Sequence, residues 1–160
     1  MNAGVRWLSE QEQQAWRIFL RGTRELELAL DRDLAPFGVS LPEYELISML
    51  SEHPQGRARM SALADTIVQS RSRVSHTAAR LEKRGWVVRE PAPEDGRGVV
   101  LVLTPAGLEA VTRIAVEHVA SVRRNLVDVL TPEQFRNVGE AMQAVRDAIG
   151  LASSEPSSSR

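Results

Sequence analysis

Residues 70–104 read SRSRVSHTAARLEKRGWVVREPAPEDGRGVVLVLT, and the reading of this stretch decides the fold. Ser70 is a residue type that caps helix N-termini through its hydroxyl, and Gly85 one that closes helices in the left-handed conformation. Between them, stepping 100° per residue places Ala78 and Leu81 within about 40° of Val74. Ser72, His76, Ala79 and Lys83 fall on the opposite side, Arg73 and Arg80 on one flank, Ser75 on the other. The spacing therefore predicts a helix with one buried apolar stripe. Two β-branched runs follow, near 86–90 and 99–104. The segment between them, EPAPEDGRG (residues 90–98), holds two prolines and two glycines. Turn chemistry between two such runs predicts a hairpin, with Arg97 at its tip.

The exposed face of that helix suits a DNA major groove. Arginine forks onto guanine, serine and histidine reach base edges or phosphates, and alanine leaves room for a thymine methyl. Alone, such a face reads equally as an ordinary solvated helix surface. Its neighbours change the balance. SALADTIV (residues 61–68) predicts a short helix ending a two-residue gap, Val68-Gln69, before Ser70. Short helix, recognition helix and hairpin, in that order, make a winged helix-turn-helix. In that setting Arg97 reaches the adjacent minor groove, whose negative potential attracts arginine. Asp95 shapes the tip, by pairing with Arg97 or by an Asx turn.

Outward from this centre the pattern is helical. Ser9 with Glu12, Ser40 with Glu43, and Thr131 with Gln134 have capping-box spacing, and Thr104-Pro105 is a further start signal. Trp16, Phe19, Thr23, Leu26 and Leu30 predict a long first helix, and Tyr44, Ile47, Met49 and Leu50 a second. Leu108, Val111, Ala115, Val119, Val122, Leu126 and Val129 predict one side of a long helix after the hairpin. Phe135, Val138, Met142, Val145 and Ile149 step by three and four, a seam that asks for a partner. The expected fold is mainly α, an α+β winged helix. A helical dimerisation region comes from 8–38 and 105–150, a DNA-binding domain from 40–104, and 151–160 form a disordered tail.

Charge is distributed unevenly. The net charge is −1. Residues 57–89 nevertheless carry eight basic and two acidic side chains, and the segments on either side are net acidic. A basic middle between acidic ends points to a local anionic partner. The chain has no cysteine, which removes disulfides, thiolate metal sites and cysteine catalysis. It also has no apolar run of about 18 residues and no secretory h-region. No membrane partner is expected, and a cytoplasmic location is the default. Its three histidines form no HExxH pattern, and neither GxSxG nor a phosphate-binding glycine loop occurs, so neither enzyme chemistry nor a cofactor or metal site is expected.

The stretch Leu63–Gly107 resembles the core of the MarR family of bacterial transcriptional regulators. The matching residues are Leu63-Ala64, the helix from Ser70, Leu81-Glu82-Lys83-Arg84-Gly85, Asp95 with Arg97, and Leu103-Thr104 with Gly107. With the flanking helices the likeness extends over about 8–150. Val68 departs from it, standing where the family often has glycine. The resemblance implies a DNA-binding homodimer held by its terminal helices, with ligands bound between the dimerisation and DNA-binding parts. Trp16, Phe19, Phe37 and Tyr44 could line a site for an aromatic small-molecule effector there, or serve as plain core. The expected function is a repressor on a palindromic operator. The expected DNA-contacting residues are Ser70, Arg71, Ser72, Arg73, Ser75, His76 and Arg80 in the recognition helix, and Asp95 and Arg97 in the wing. The alternative is a helical interaction module binding a protein or an anionic membrane surface.

Overall fold

The computed structural model describes residues 4–92 and 98–154, with side chains as far as Gly150. Asp95 and Arg97 therefore lie outside the described residues. The element order is α1 (Glu10–Leu34), α2 (Leu41–Glu52), β1 (Arg57–Arg59), α3 (Met60–Thr66), α4 (Arg71–Lys83), β2 (Val87–Pro91), β3 (Val99–Leu103), α5 (Pro105–Asn125) and α6 (Pro132–Ser154). Short 3₁₀ turns occupy Ala35–Phe37, Pro54–Gly56 and Val127–Val129. The result is a mainly helical winged helix, as the sequence predicts.

Helices start where the sequence supplies caps. The Glu12 N–H donates to the Ser9 hydroxyl at 3.2 Å, and the Ser9 N–H donates back to the Glu12 carboxylate at 2.7 Å. Thr131 and Gln134 make the same reciprocal pair at the start of α6. At α2 one Glu43 oxygen accepts both the N–H and the hydroxyl of Ser40, each at 2.8 Å. Thr104 opens α5, its hydroxyl accepting from the Gly107 N–H at 3.0 Å and donating to the Gly85 carbonyl at 2.7 Å. One side chain thus joins the start of α5 to the loop that ends α4.

The chain forms two compact units, Met1–Ser121 and Val122–Arg160. In the first, Leu46, Ile47, Leu63, Val74, Leu81 and Leu101 belong to a core that holds α4 against α2, α3 and the sheet. Leu81 is fully buried, and truncating such a leucine to alanine costs about 2–5 kcal/mol. A second cluster, Leu34, Val39, Leu41, Tyr44, Ala110 and Ile114, joins α1 and α2 to α5. The sheet is antiparallel in the order β1-β3-β2. Ala58 and Arg89 both oppose Leu101, so the three share the face turned to the core.

One expectation, the extent of the helix after the hairpin, is corrected. In α5 the buried positions are Gly107, Ala110, Val111, Ile114 and Ser121, whereas Leu108 and Val119 are exposed. The helix also ends at Asn125, so Leu126 and Val129 are not on it. α6 runs from Pro132 to Ser154. In the second unit Phe135, Val138, Val145 and Ile149 are all exposed along α6.

Candidate nucleic-acid interface

α4 is anchored on one side and open on the other. Ser70 caps it, its hydroxyl accepting from the Arg73 N–H at 3.3 Å. Val74, Thr77, Ala78 and Leu81 are buried, while Arg71, Ser72, Arg73 and His76 are exposed together at its N-terminal half. Thr77 was not expected on the buried side. It lies about 60° from Val74, on the side toward Arg73 and Arg80, and so widens the buried stripe. At the C-terminal end Gly85 takes φ +71°, its N–H bonding the Glu82 carbonyl and the Trp86 N–H the Leu81 carbonyl. This is a Schellman closure, and it turns the chain directly into β2.

The α3–α4 turn uses the same closure. The Val68 N–H bonds the Asp65 carbonyl at 3.3 Å and the Gln69 N–H the Ala64 carbonyl at 3.0 Å. Val68 therefore sits in the left-handed position, at φ +53°, with its side chain 83% exposed. A valine there carries strain of about 1–2 kcal/mol that glycine would not.

The arginines of the basic middle divide into two groups. Arg57 pairs with Glu90 at 2.6 Å across the sheet. Arg84 donates to the Gly38 carbonyl and lies over the Trp86 ring, 5.1 Å from its centre. Arg89 donates to the Ser75 carbonyl at 2.7 Å, tying β2 to the middle of α4. Arg80 reaches Glu43 through Nε at 3.0 Å. Arg80 is thus bound to α2, and half-buried Ser75 is engaged through its backbone. Arg71 and Arg73 project from the exposed face. Burial would raise the Glu43 carboxyl, but the Ser40 N–H and hydroxyl and the Arg80 guanidinium together hold it below the usual carboxylate range. The ties made by Arg57, Arg80 and Arg89 join residues at least 14 apart in sequence, so no local pattern announced them.

At the wing, the Ala92 N–H donates to the Gly98 carbonyl at 2.8 Å, which ties the end of β2 to the start of β3. A cleft of about 640 Å³ lies between α1, α2 and the α3–α4 turn. Its lining includes Arg24, Glu27, Asp31, Glu45, Val68 and Arg73, and no aromatic residue. Burial, with the nearby Glu27 charge, pushes the Glu45 carboxyl up. The four aromatic residues considered for an effector site do not gather there. Trp16 and Phe19 are exposed and stacked on each other at 6.0 Å, and Tyr44 is buried against His118 at 4.4 Å. Among the described residues no group of three or more His, Asp or Glu side chains could hold a metal. No described helix is long and apolar enough to cross a membrane.

Comparison with known proteins places this architecture. Residues 37–98 match the sequence profile of the MarR family. The chain is similar to AbsC, a MarR family transcriptional regulator from Streptomyces coelicolor, with 42% identity, a TM-score of 0.85, and coverage of 91% of this chain and 98% of AbsC. It is equally similar in sequence, at 42%, to Sco3205 of the same organism, a MarR family regulator solved in complex with DNA. The TM-score there is 0.88, with 98% of this chain and 95% of Sco3205 covered. YfiV of Bacillus subtilis, an uncharacterized HTH-type transcriptional regulator, is 26% identical over 148 residues, which is 92% of this chain and 91% of YfiV. A winged helix with an anchored, arginine-bearing fourth helix and relatives of this identity over nearly its whole length leave one assignment: the chain belongs to the MarR family of transcriptional regulators.

Proposed function

We propose that this regulator acts in the cytoplasm as a homodimer on a palindromic DNA operator and represses the promoter it covers. The observation that carries the reading is the exposed face of α4. Arg71, Ser72, Arg73 and His76 point away from a side locked into the core. Ser72, Arg73 and His76 read base edges in the major groove, and Arg71 holds the adjoining backbone. Ser70 orients the helix as its cap, and Ser75 and Arg80 act at its flanks. Arg97 enters the minor groove at the outer end of each half-site, on a tip shaped by Asp95. Sco3205, solved with DNA, supports the same use of the fold here.

Segments 8–38 and 105–150 supply the dimer contacts, consistent with the exposed apolar seam of α6 and with exposed Trp16 and Phe19. Release by a small molecule fits the cleft that includes Arg73. An occupant there would meet carboxylates as well as arginines.

The test is titration of operator and random duplexes at several salt concentrations, with the operator selected from bound genomic fragments. Affinity should fall steeply with salt, and the operator should bind tighter than random duplex. Arg73→Ala should cost about 1–3 kcal/mol and relax preference at one position. Equal weakening on every sequence would assign this face to phosphate contact only.

A further inference from the structure

We infer that Lys83 contacts the DNA sugar-phosphate backbone at the far end of the recognition helix, and that acylation of its amine is a route by which operator binding is weakened. The inference rests on the DNA-binding reading above and adds to it a residue that the reading does not use.

The chain has one lysine, Lys83, against 19 arginines. It stands on the side of α4 opposite Val74, in line with Ser72 and His76, and is exposed in the last turn of the helix. The cations around it are held within the protein. Arg80 bonds Glu43, Arg84 the Gly38 carbonyl, and Arg89 the Ser75 carbonyl. The Lys83 side chain makes no hydrogen bond or ion pair with any described residue. No acid stands three or four positions from it in the sequence, the spacing at which helix side chains meet. Glu82, its neighbour in the chain, lies 3.6 Å from Arg89 Nε. The three donors of the Lys83 amine are therefore open to a partner outside the protein.

Length identifies that partner. Eleven positions separate Ser72 from Lys83, about 16 Å along the helix axis. The major groove is about 12 Å wide. A helix that reads bases with its N-terminal half thus carries Lys83 to the rim of the groove, where sugar and phosphate replace base edges. Ala79, one turn earlier on the same side, is too short to hold a strand away. A flexible stem ending in a compact point charge suits a phosphate at the rim, whereas the fixed fork of Arg73 suits a base edge. The same amine is the one lysine that an activated acyl group, an acyl phosphate or thioester, can modify. The unprotonated amine attacks the acyl carbonyl, phosphate or thiolate leaves, and a proton is released. The amide that forms is neutral, so each recognition helix loses one positive charge.

The test uses the full-length protein with operator and random duplexes across a salt series. Lys83→Gln should weaken binding to both about three- to tenfold and lower the slope of log K against log salt by about one per protomer. The operator-to-random ratio should not change. Lys83→Arg should keep the slope and resist acylation. Acetyl phosphate serves as the probe, with peptide mapping by mass. It should acetylate Lys83 in the wild type, the acetylated protein should match Lys83→Gln in slope, and bound operator should slow the reaction. Thermal melting of each variant separates a folding defect from lost contact. The contact is overturned if Lys83→Gln leaves the slope unchanged, if it alters the operator-to-random ratio, or if operator fails to slow acetylation. Acetylated wild type that binds as tightly as the unmodified protein would overturn the acylation route. Wild type failing to bind duplex DNA would instead overturn the DNA-binding reading itself.

Discussion

At Val68 the local sequence and the fold disagree. Two backbone hydrogen bonds require a left-handed residue there, and the chain supplies a β-branched one. Val68→Gly should remove that strain, partly offset by the greater freedom glycine has when unfolded. The expected net gain is about 1 kcal/mol, or a rise in Tm of about 2–4 °C, read by thermal melting. A lower Tm would mean that the exposed valine makes a contribution the turn geometry does not reveal. Gly107 is the opposite case, a residue whose type the packing demands. A Cβ there would lie 2.1 Å from the Trp86 carbonyl oxygen, and that oxygen already accepts from the Thr104 N–H. Gly107→Ala should destabilise by about 1–3 kcal/mol or more, because backbone rather than a flexible side chain must move. Both residues stood out in the sequence as family positions. The strain at one and the close approach at the other depend on contacts that no spacing encodes.

Among the elements, starts and stops were the most legible features, because a cap is a local interaction. Ser9, Ser40, Ser70, Thr104 and Thr131 all sit where the helices begin. The exposed side of α4 was also legible, since three buried apolar residues fix its phase. β1 was not, because three residues, Arg57 to Arg59, are too few to show alternation. The side of α5 that meets the rest of its own chain was not legible, because it differs from the apolar side that holds Leu108 and Val119. Packing selects Ala110 and Ile114, which join α5 to α1 and α2, and Gly107, which lies against Trp86 and Leu103. The same consideration shapes expectations for α6, whose Val138 and Val145 are 45% and 47% exposed. Val138→Glu with Val145→Glu should shift the proposed dimer toward monomer at micromolar concentration while helicity is retained. Sedimentation analysis reads this directly, and an unchanged mass would place the dimer contacts elsewhere.

For the molecule as a whole, the joint between α2 and α5 predicts a pH dependence. Burial against Tyr44 pushes the His118 imidazole below its ordinary value, and Nδ1 is buried with no hydrogen-bond partner among the described residues. An unfolded histidine titrates near 6.5, so the unfolded chain takes up this proton first. The stability the neutral ring supplies is present above about pH 6.5 and is lost as pH falls through the lower folded value. Tm should therefore drop between pH 7 and 5, and His118→Phe should flatten that drop. Parallel losses in the two proteins would rule the histidine out. A different feature bears on DNA geometry. Asp31 of α1 accepts the Leu41 N–H at the start of α2 at 2.7 Å, and two residues on Glu43 holds Arg80 of α4. Short polar ties thus lock the direction of the recognition helix to α1, so in a dimer assembled through α1 the two reading heads cannot adjust independently. The protein should act as a rigid caliper: one base pair inserted between operator half-sites should cost nearly as much affinity as deleting a half-site, and relaxing the jaw with Glu43→Gln should recover part of that loss.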